Sequence, residues 1–256
     1  MDLPAHLRPD LERGLRFLAA HRPPGRLVQC GVTGAHFYGF PSPDSVLDLK
    51  GVHQVPLAEL LGFDPPAETH DVLTDFEGLE HDLTTHELVV ALKLLFRGNG
   101  NVLERFLSPF QLVSGPVADA LAELARGAAS QRFHRHYRGF FTGMQREHLR
   151  EPRVKSMLYA YRVALTGVHL LRTGECLGDV RVLGPRYGFP RILEAVLAKA
   201  EGEEKGGIDA DLDAALQADW PRLERALDDA LAASPLPAEP PNRAEAEAWL
   251  VAQRTA

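Results

Sequence analysis

Gly34-Ala35-His36-Phe37-Tyr38-Gly39-Phe40-Pro41-Ser42-Pro43-Asp44-Ser45-Val46-Leu47-Asp48-Leu49-Lys50-Gly51-Val52 is the stretch on which the fold turns. The apolar run Leu27-Val28-Gln29-Cys30-Gly31-Val32 precedes it, so a short buried strand enters a glycine turn at Gly34. A Pro/Ser loop covers 41–45, and residues 46–52 form a second apolar run that predicts a strand paired with the first. Side chains alternate along a strand, so positions 46 and 48 share one face. Val46 holds the first of these and Asp48 the second.

Working outward, residues 8–21 predict an amphipathic helix with Leu11, Leu15 and Leu18 at helical spacing, stopped by Pro23-Pro24-Gly25. Residues 56–63 predict a short helix. Residues 72–76 and 79–83 predict a strand pair, and 86–96 a buried helix. Beyond these the pattern is mostly helical, with helices predicted over 117–125, 130–150, 154–172, 190–201 and 209–233. A charged loop at 201–207 and a proline-rich tail lead to a final short helix. There is no internal repeat. Strands first and helices afterwards is an α+β layout.

The order of these blocks resembles polymerase-β-type nucleotidyltransferases, whose pattern reads Gly-Ser, a loop, then Asp-x-Asp on a strand. Gly34 matches the glycine, Pro43-Asp44-Ser45 the loop, and Leu47-Asp48-Leu49-Lys50-Gly51-Val52 the strand and its exit. Asp82 most resembles the third acidic position. The run from Leu92 through Gly98-Asn99-Gly100-Asn101-Val102-Leu103-Glu104 is similar to a helix, turn and Glu of the RNA-ligase-associated (RlaP or YcgL-like) branch. His136-Tyr137-Arg138-Gly139-Phe140 and Leu170-Leu171-Arg172-Thr173-Gly174-Glu175 resemble later blocks of that branch. The likeness runs in order from Leu27 to Glu175. It departs at two positions: Ala35 stands at the Ser and Val46 at the first Asp.

The resemblance implies a polymerase-β-type core over residues 1–112, a mixed sheet with flanking helices, followed by a helical domain over 113–256 with a flexible proline-rich tail. It implies nucleotidyl transfer from a nucleoside triphosphate, with Mg²⁺, to an acceptor for which an RNA end is the candidate. Such transfer needs phosphates held in line and metal ions that neutralise both oxygens. Asp48 and Asp82 would hold metal and act in catalysis. Gly34 and the backbone of Ala35 would bind phosphate, with Thr33 a substitute donor, and Lys155 and Arg162 would neutralise the triphosphate. Lys155, Tyr159 and Arg162 lie at i, i+4 and i+7 on one helix stripe, and Glu104 is a candidate partner for it. Asp44 shares parity with Asp48 and is a further candidate ligand. Along an extended strand, however, the two sit roughly 13 Å apart.

Each feature also has a plain structural explanation. Asp48 at a strand edge caps a turn, and the basic run His134-Arg135-His136-Tyr137-Arg138 forms a solvated helix face as readily as a phosphate contact. Val46 and Ala35 fall on the two signature positions while their neighbours stay in pattern. The competing expectation is therefore a catalytically inactive descendant, a pseudoenzyme that binds nucleotide, RNA or a protein partner. A purely structural interaction protein is the third.

Composition narrows the field. The chain has 256 residues, 45% hydrophobic and 25% charged, and a net charge of -7. An acidic surface argues against a DNA-coating protein, though a local basic patch still suits nucleic acid. Two distant cysteines, Cys30 and Cys176, read as buried thiols in a reducing compartment. No apolar run approaches the ~20 residues of a membrane span, and no leader opens the chain, which predicts a cytoplasmic protein. No Cys pair has zinc spacing, and there is neither a P-loop nor a Gly-x-Ser-x-Gly elbow.

Overall fold

A computed structural model describes residues 8–42, 45–202 and 207–255, and the side chains from residue 10 onward within them. The fold is α+β. A mixed five-stranded sheet carries helices on both faces, and further helices follow towards the C-terminus. The sheet order is β3-β4-β2-β1-β5, with β1 Arg26–Val32, β2 Leu47–Gln54, β3 Thr69–Phe76, β4 Leu79–Glu87 and β5 Gln111–Val113. β1 pairs antiparallel with both β2 and β5, and β3 with β4. β2 and β4 are parallel, which sets Asp48 beside Asp82 and Lys50 beside Thr84.

One sheet face packs on helix α1 (Arg8–Ala20). Leu11, Phe17 and Leu18 there meet Cys30, Val32, Leu47, Leu49 and Leu83. A bulge in β1 between Leu27 and Gln29 turns Val28 to the opposite face, where it joins the larger core. Alternation then leaves Asp48, Lys50 and Val52 on that second face. Helices α2 (Gly34–Tyr38), α4 (Leu88–Phe96) and α5 (Gly100–Leu107) cover it and merge with the C-terminal helices into one core. That core centres on α8 (Val154–Thr173), almost wholly buried among α7 (His134–Arg150), α9 (Val180–Arg186), α10 (Ile192–Glu201) and α12 (Trp220–Ala232). A short helix α3 (Leu57–Leu60) leads out of β2, and α6 (Pro116–Gly127) packs against α5 and β1. The last helix, α13 (Arg243–Thr255), returns to the start of α4. There Arg254 pairs with Glu87 and donates to the Val55 carbonyl at 2.6 Å, and the Gln253 amide donates to Gln54 at 3.2 Å.

The structure corrects several sequence expectations. Residues 209–233 form two helices, α11 (Ala210–Gln217) and α12. Pro221 lacks an N–H and its ring would clash with the carbonyl of Gln217 four residues earlier, so a continuous helix cannot pass. A 3-10 turn at Gln131–Phe133 precedes α7. The strand bearing Asp82 runs on to Glu87 rather than ending at Leu83. Helices α2, α5 and α9 and strand β5 were not expected. Cys30 and Cys176 are free thiols, and burial pushes Cys30 up to about 12.

Candidate functional site

A cavity of about 310 Å³ opens where β2 meets α2, α5, α7 and α8. Its walls include Gly34, Asp48, Lys50, Arg105, Tyr159 and Arg162. Five of the residues singled out from sequence, Thr33, Gly34, Asp48, Tyr159 and Arg162, thus share one cavity, whereas Asp82 is not among its lining residues. Ala35 is buried in α2 behind it. Lys155 lines a neighbouring cavity of about 280 Å³ that shares Phe140 and Tyr159. Asp44 lies outside the described residues.

The turn is built around Asp48. The Thr33 N–H donates to the Asp48 carbonyl at 2.9 Å, and Gly34 takes φ +63°. A Cβ at residue 34 would overlap the Asp48 carboxylate. Glycine is required here by both the left-handed backbone and the carboxylate that fills the space.

Asp82 is engaged by a lysine. The Lys50 ammonium lies 2.7 Å from Asp82 Oδ1, 3.2 Å from Thr84 Oγ1 and 3.4 Å from the Asp82 carbonyl. Val46, at the remaining signature position, has no ligand atom. Among the described residues, no three or more His, Cys, Asp or Glu side chains are placed to share a metal ion. Hard divalent cations take about six oxygen ligands, usually anchored by carboxylates. This donor set, with one acid replaced by valine and another held by an ammonium, does not fit the two-metal centre that the nucleotidyltransferase pattern implies.

The opposite wall is a closed charge network. Arg162 and Glu104 are each 1% exposed, and Arg162 Nη1 meets Glu104 Oε1 at 2.8 Å and Oε2 at 3.1 Å. The Tyr38 hydroxyl donates to the same carboxylate at 2.7 Å and that of Tyr137 at 3.3 Å. The Arg162 guanidinium lies 3.7 Å from the centre of the Tyr38 ring. Burial pulls its pKa down, but Glu104 and the surrounding tyrosines outweigh this and raise it. Glu104, a candidate partner for the basic stripe, therefore meets Arg162. Two members of the basic run on α7 also meet protein, while Arg135 is exposed: His134 lies 3.0 Å from Asp228, and Arg138 pairs with Glu224.

Arg105 differs. It is buried in the wall, 4% exposed, and its Nη1 donates to the Gly51 carbonyl at 2.9 Å. Among the described residues it makes no ion pair, and its Nε has no hydrogen-bond partner. Burial pulls its pKa down to about 10. His86, on β4, is pulled down to about 4 by burial and then by the charge of Arg105. The sequence reading missed both Lys50 and Arg105 as site residues. The period-two spacing from Asp48 to Lys50 was the available signal for the first; nothing local marks the second.

Residues 16–252 match the family described as the RNA repair pathway DNA polymerase beta family, RlaP. The chain belongs to this family. An uncharacterised protein of Methanocaldococcus jannaschii is 26% identical over 156 residues, 58% of this chain. The match spans 61% of that curated relative's length. Among solved structures, a nucleotidyltransferase-like protein from Exiguobacterium sibiricum 255-15 aligns over 86% of this chain and 75% of its own. The TM-score is 0.32 and the identity 11%. Membership of the RlaP family gives the chain a polymerase-β-like nucleotidyltransferase family and fold. Among the described residues, no helix is long and apolar enough to cross a membrane.

Proposed function

We propose that the cavity binds the triphosphate of a nucleotide without a divalent metal, so that this chain is a nucleotide-binding member of its family rather than a working transferase. The observation that carries the reading is Arg105. A buried charge without an ion-pair partner costs several kcal/mol; Asp71 acts on Arg105 only through space, and an anionic ligand in the cavity would supply the contact partner. The rings of Tyr159 and Phe140 in the same cavity offer apolar surface to a base or ribose. The family's association with RNA repair makes an RNA end a candidate carrier of the phosphates, in a cytoplasmic setting.

A second reading, magnesium-dependent nucleotidyl transfer, draws on the register that places Asp48 beside Asp82. In it, Gly34 and Ala35 bind phosphate, and Lys155 and Arg162 neutralise it. Calorimetric titration of each nucleoside triphosphate and of a 5′-triphosphate RNA, with Mg²⁺ and then with EDTA, separates the two. Binding that survives EDTA and falls at least tenfold in Arg105→Gln is expected. Strict magnesium dependence, lost in Asp48→Ala, would replace the first reading with the second.

A further inference from the structure

The metal pattern fails here in a specific way, and Lys50 accounts for it. Positions 48 and 50 share one face of β2, which begins one residue after Val46, and Asp82 and Thr84 stand beside them on β4. An ammonium carries three N–H donors, and at Lys50 each has an acceptor within 3.4 Å: the Asp82 carboxylate, the Thr84 hydroxyl and the Asp82 carbonyl. The cation is therefore fixed rather than waving in solvent. The Lys50 side chain is 20% exposed and that of Asp82 39%. Lys50 and Thr84 line the cavity, while Asp82 lies beside it, outside the lining.

We propose that the Lys50 ammonium is a built-in counter-ion that takes the place of a divalent cation at the Asp48/Asp82 pair and keeps metal out. The charges match. With valine at position 46, a divalent ion would find too few oxygen ligands to repay its dehydration. One lysine charge neutralises one carboxylate and needs no open coordination sphere. The loss of an acid at position 46 and the seating of an ammonium on Asp82 are then two halves of a single adaptation. With Asp82 neutralised, a triphosphate approaching Arg105 meets less negative charge, in keeping with metal-free binding. In this respect the inference rests on the reading above.

The test uses Mn²⁺ alone as probe, followed by water-proton relaxation on the full chain without nucleotide. Wild type is expected to bind no Mn²⁺ below millimolar concentrations. Lys50→Met should bind at least tenfold more tightly, and Val46→Asp combined with Lys50→Met more tightly again. Asp82→Asn added to Lys50→Met should abolish the gain, and Lys50→Arg should behave as wild type. A stoichiometric Mn²⁺ site on wild type below 100 μM would overturn the proposal, and this needs no variant to fold. So would unchanged Mn²⁺ affinity in folded Lys50→Met, or in Lys50→Gln if the former misfolds. Because nucleotide is absent, failure of triphosphate binding leaves this result standing, and failure here leaves the EDTA titration standing.

Discussion

Two buried arginines line the cavity, Arg162 on α8 and Arg105 on α5. Arg162 is met by Glu104 and by the ring of Tyr38. Arg105, reaching from α5 to the sheet, has a backbone carbonyl as its hydrogen-bond partner and no ion pair among the described residues; Asp71 acts on it only through space, and its Nε lacks a partner. The first arginine is spent on holding α2, α5, α7 and α8 together. The second is held at an electrostatic cost, visible in its lowered pKa, and so remains available to a ligand. Buried charge alone therefore does not mark a binding residue; what distinguishes the two is whether the protein itself supplies an ion-pair partner.

The largest expected effect breaks the Arg162 network. Glu104→Ala strands the Arg162 charge and should cost about 3–5 kcal/mol in denaturant unfolding. Next comes the turn at Gly34. Gly34→Ala forces a side chain into a left-handed backbone and into the Asp48 carboxylate, and about 1–3 kcal/mol should be lost by the same measurement. Arg105→Met sharpens the contrast: stability should stay within about 1 kcal/mol of wild type, since a buried cation without an ion pair is exchanged for an apolar chain. Triphosphate binding should nevertheless fall in calorimetry. The smallest effect is read through His86. Its folded pKa of about 4 lies below the ordinary 6.5, so the unfolded chain binds more protons between those values. This contribution to stability is present above pH 6.5 and is lost as pH falls towards 4. In Arg105→Met, the imidazole followed by NMR titration should move upwards, because the cation lowering it is gone.

The parts of the cavity were unequally legible in the sequence. The strand, glycine turn and second strand around Asp48 are written locally, in alternation and in Gly/Pro punctuation, and the structure builds them as β1, α2 and β2. Glu104 and Arg162 were readable as an acid and a basic stripe on helices. Lys50 was passed over because its partner comes 32 residues later, and which strand lies beside β2 follows from topology rather than from any neighbouring residue. Arg105 was passed over for the same reason: its acceptor is the backbone of Gly51, on a strand 54 residues earlier. The break between α11 and α12 was legible, since Pro221 states it, but the helical spacing on either side masked it.

The return of α13 to the sheet has a consequence for how the chain is made. Arg254 locks onto Glu87 and Val55, residues that leave the ribosome well over a hundred positions earlier. Contacts of such long separation form late and slow folding. During synthesis the edge where β2 ends and α4 begins must wait without its clamp until the last helix has been made.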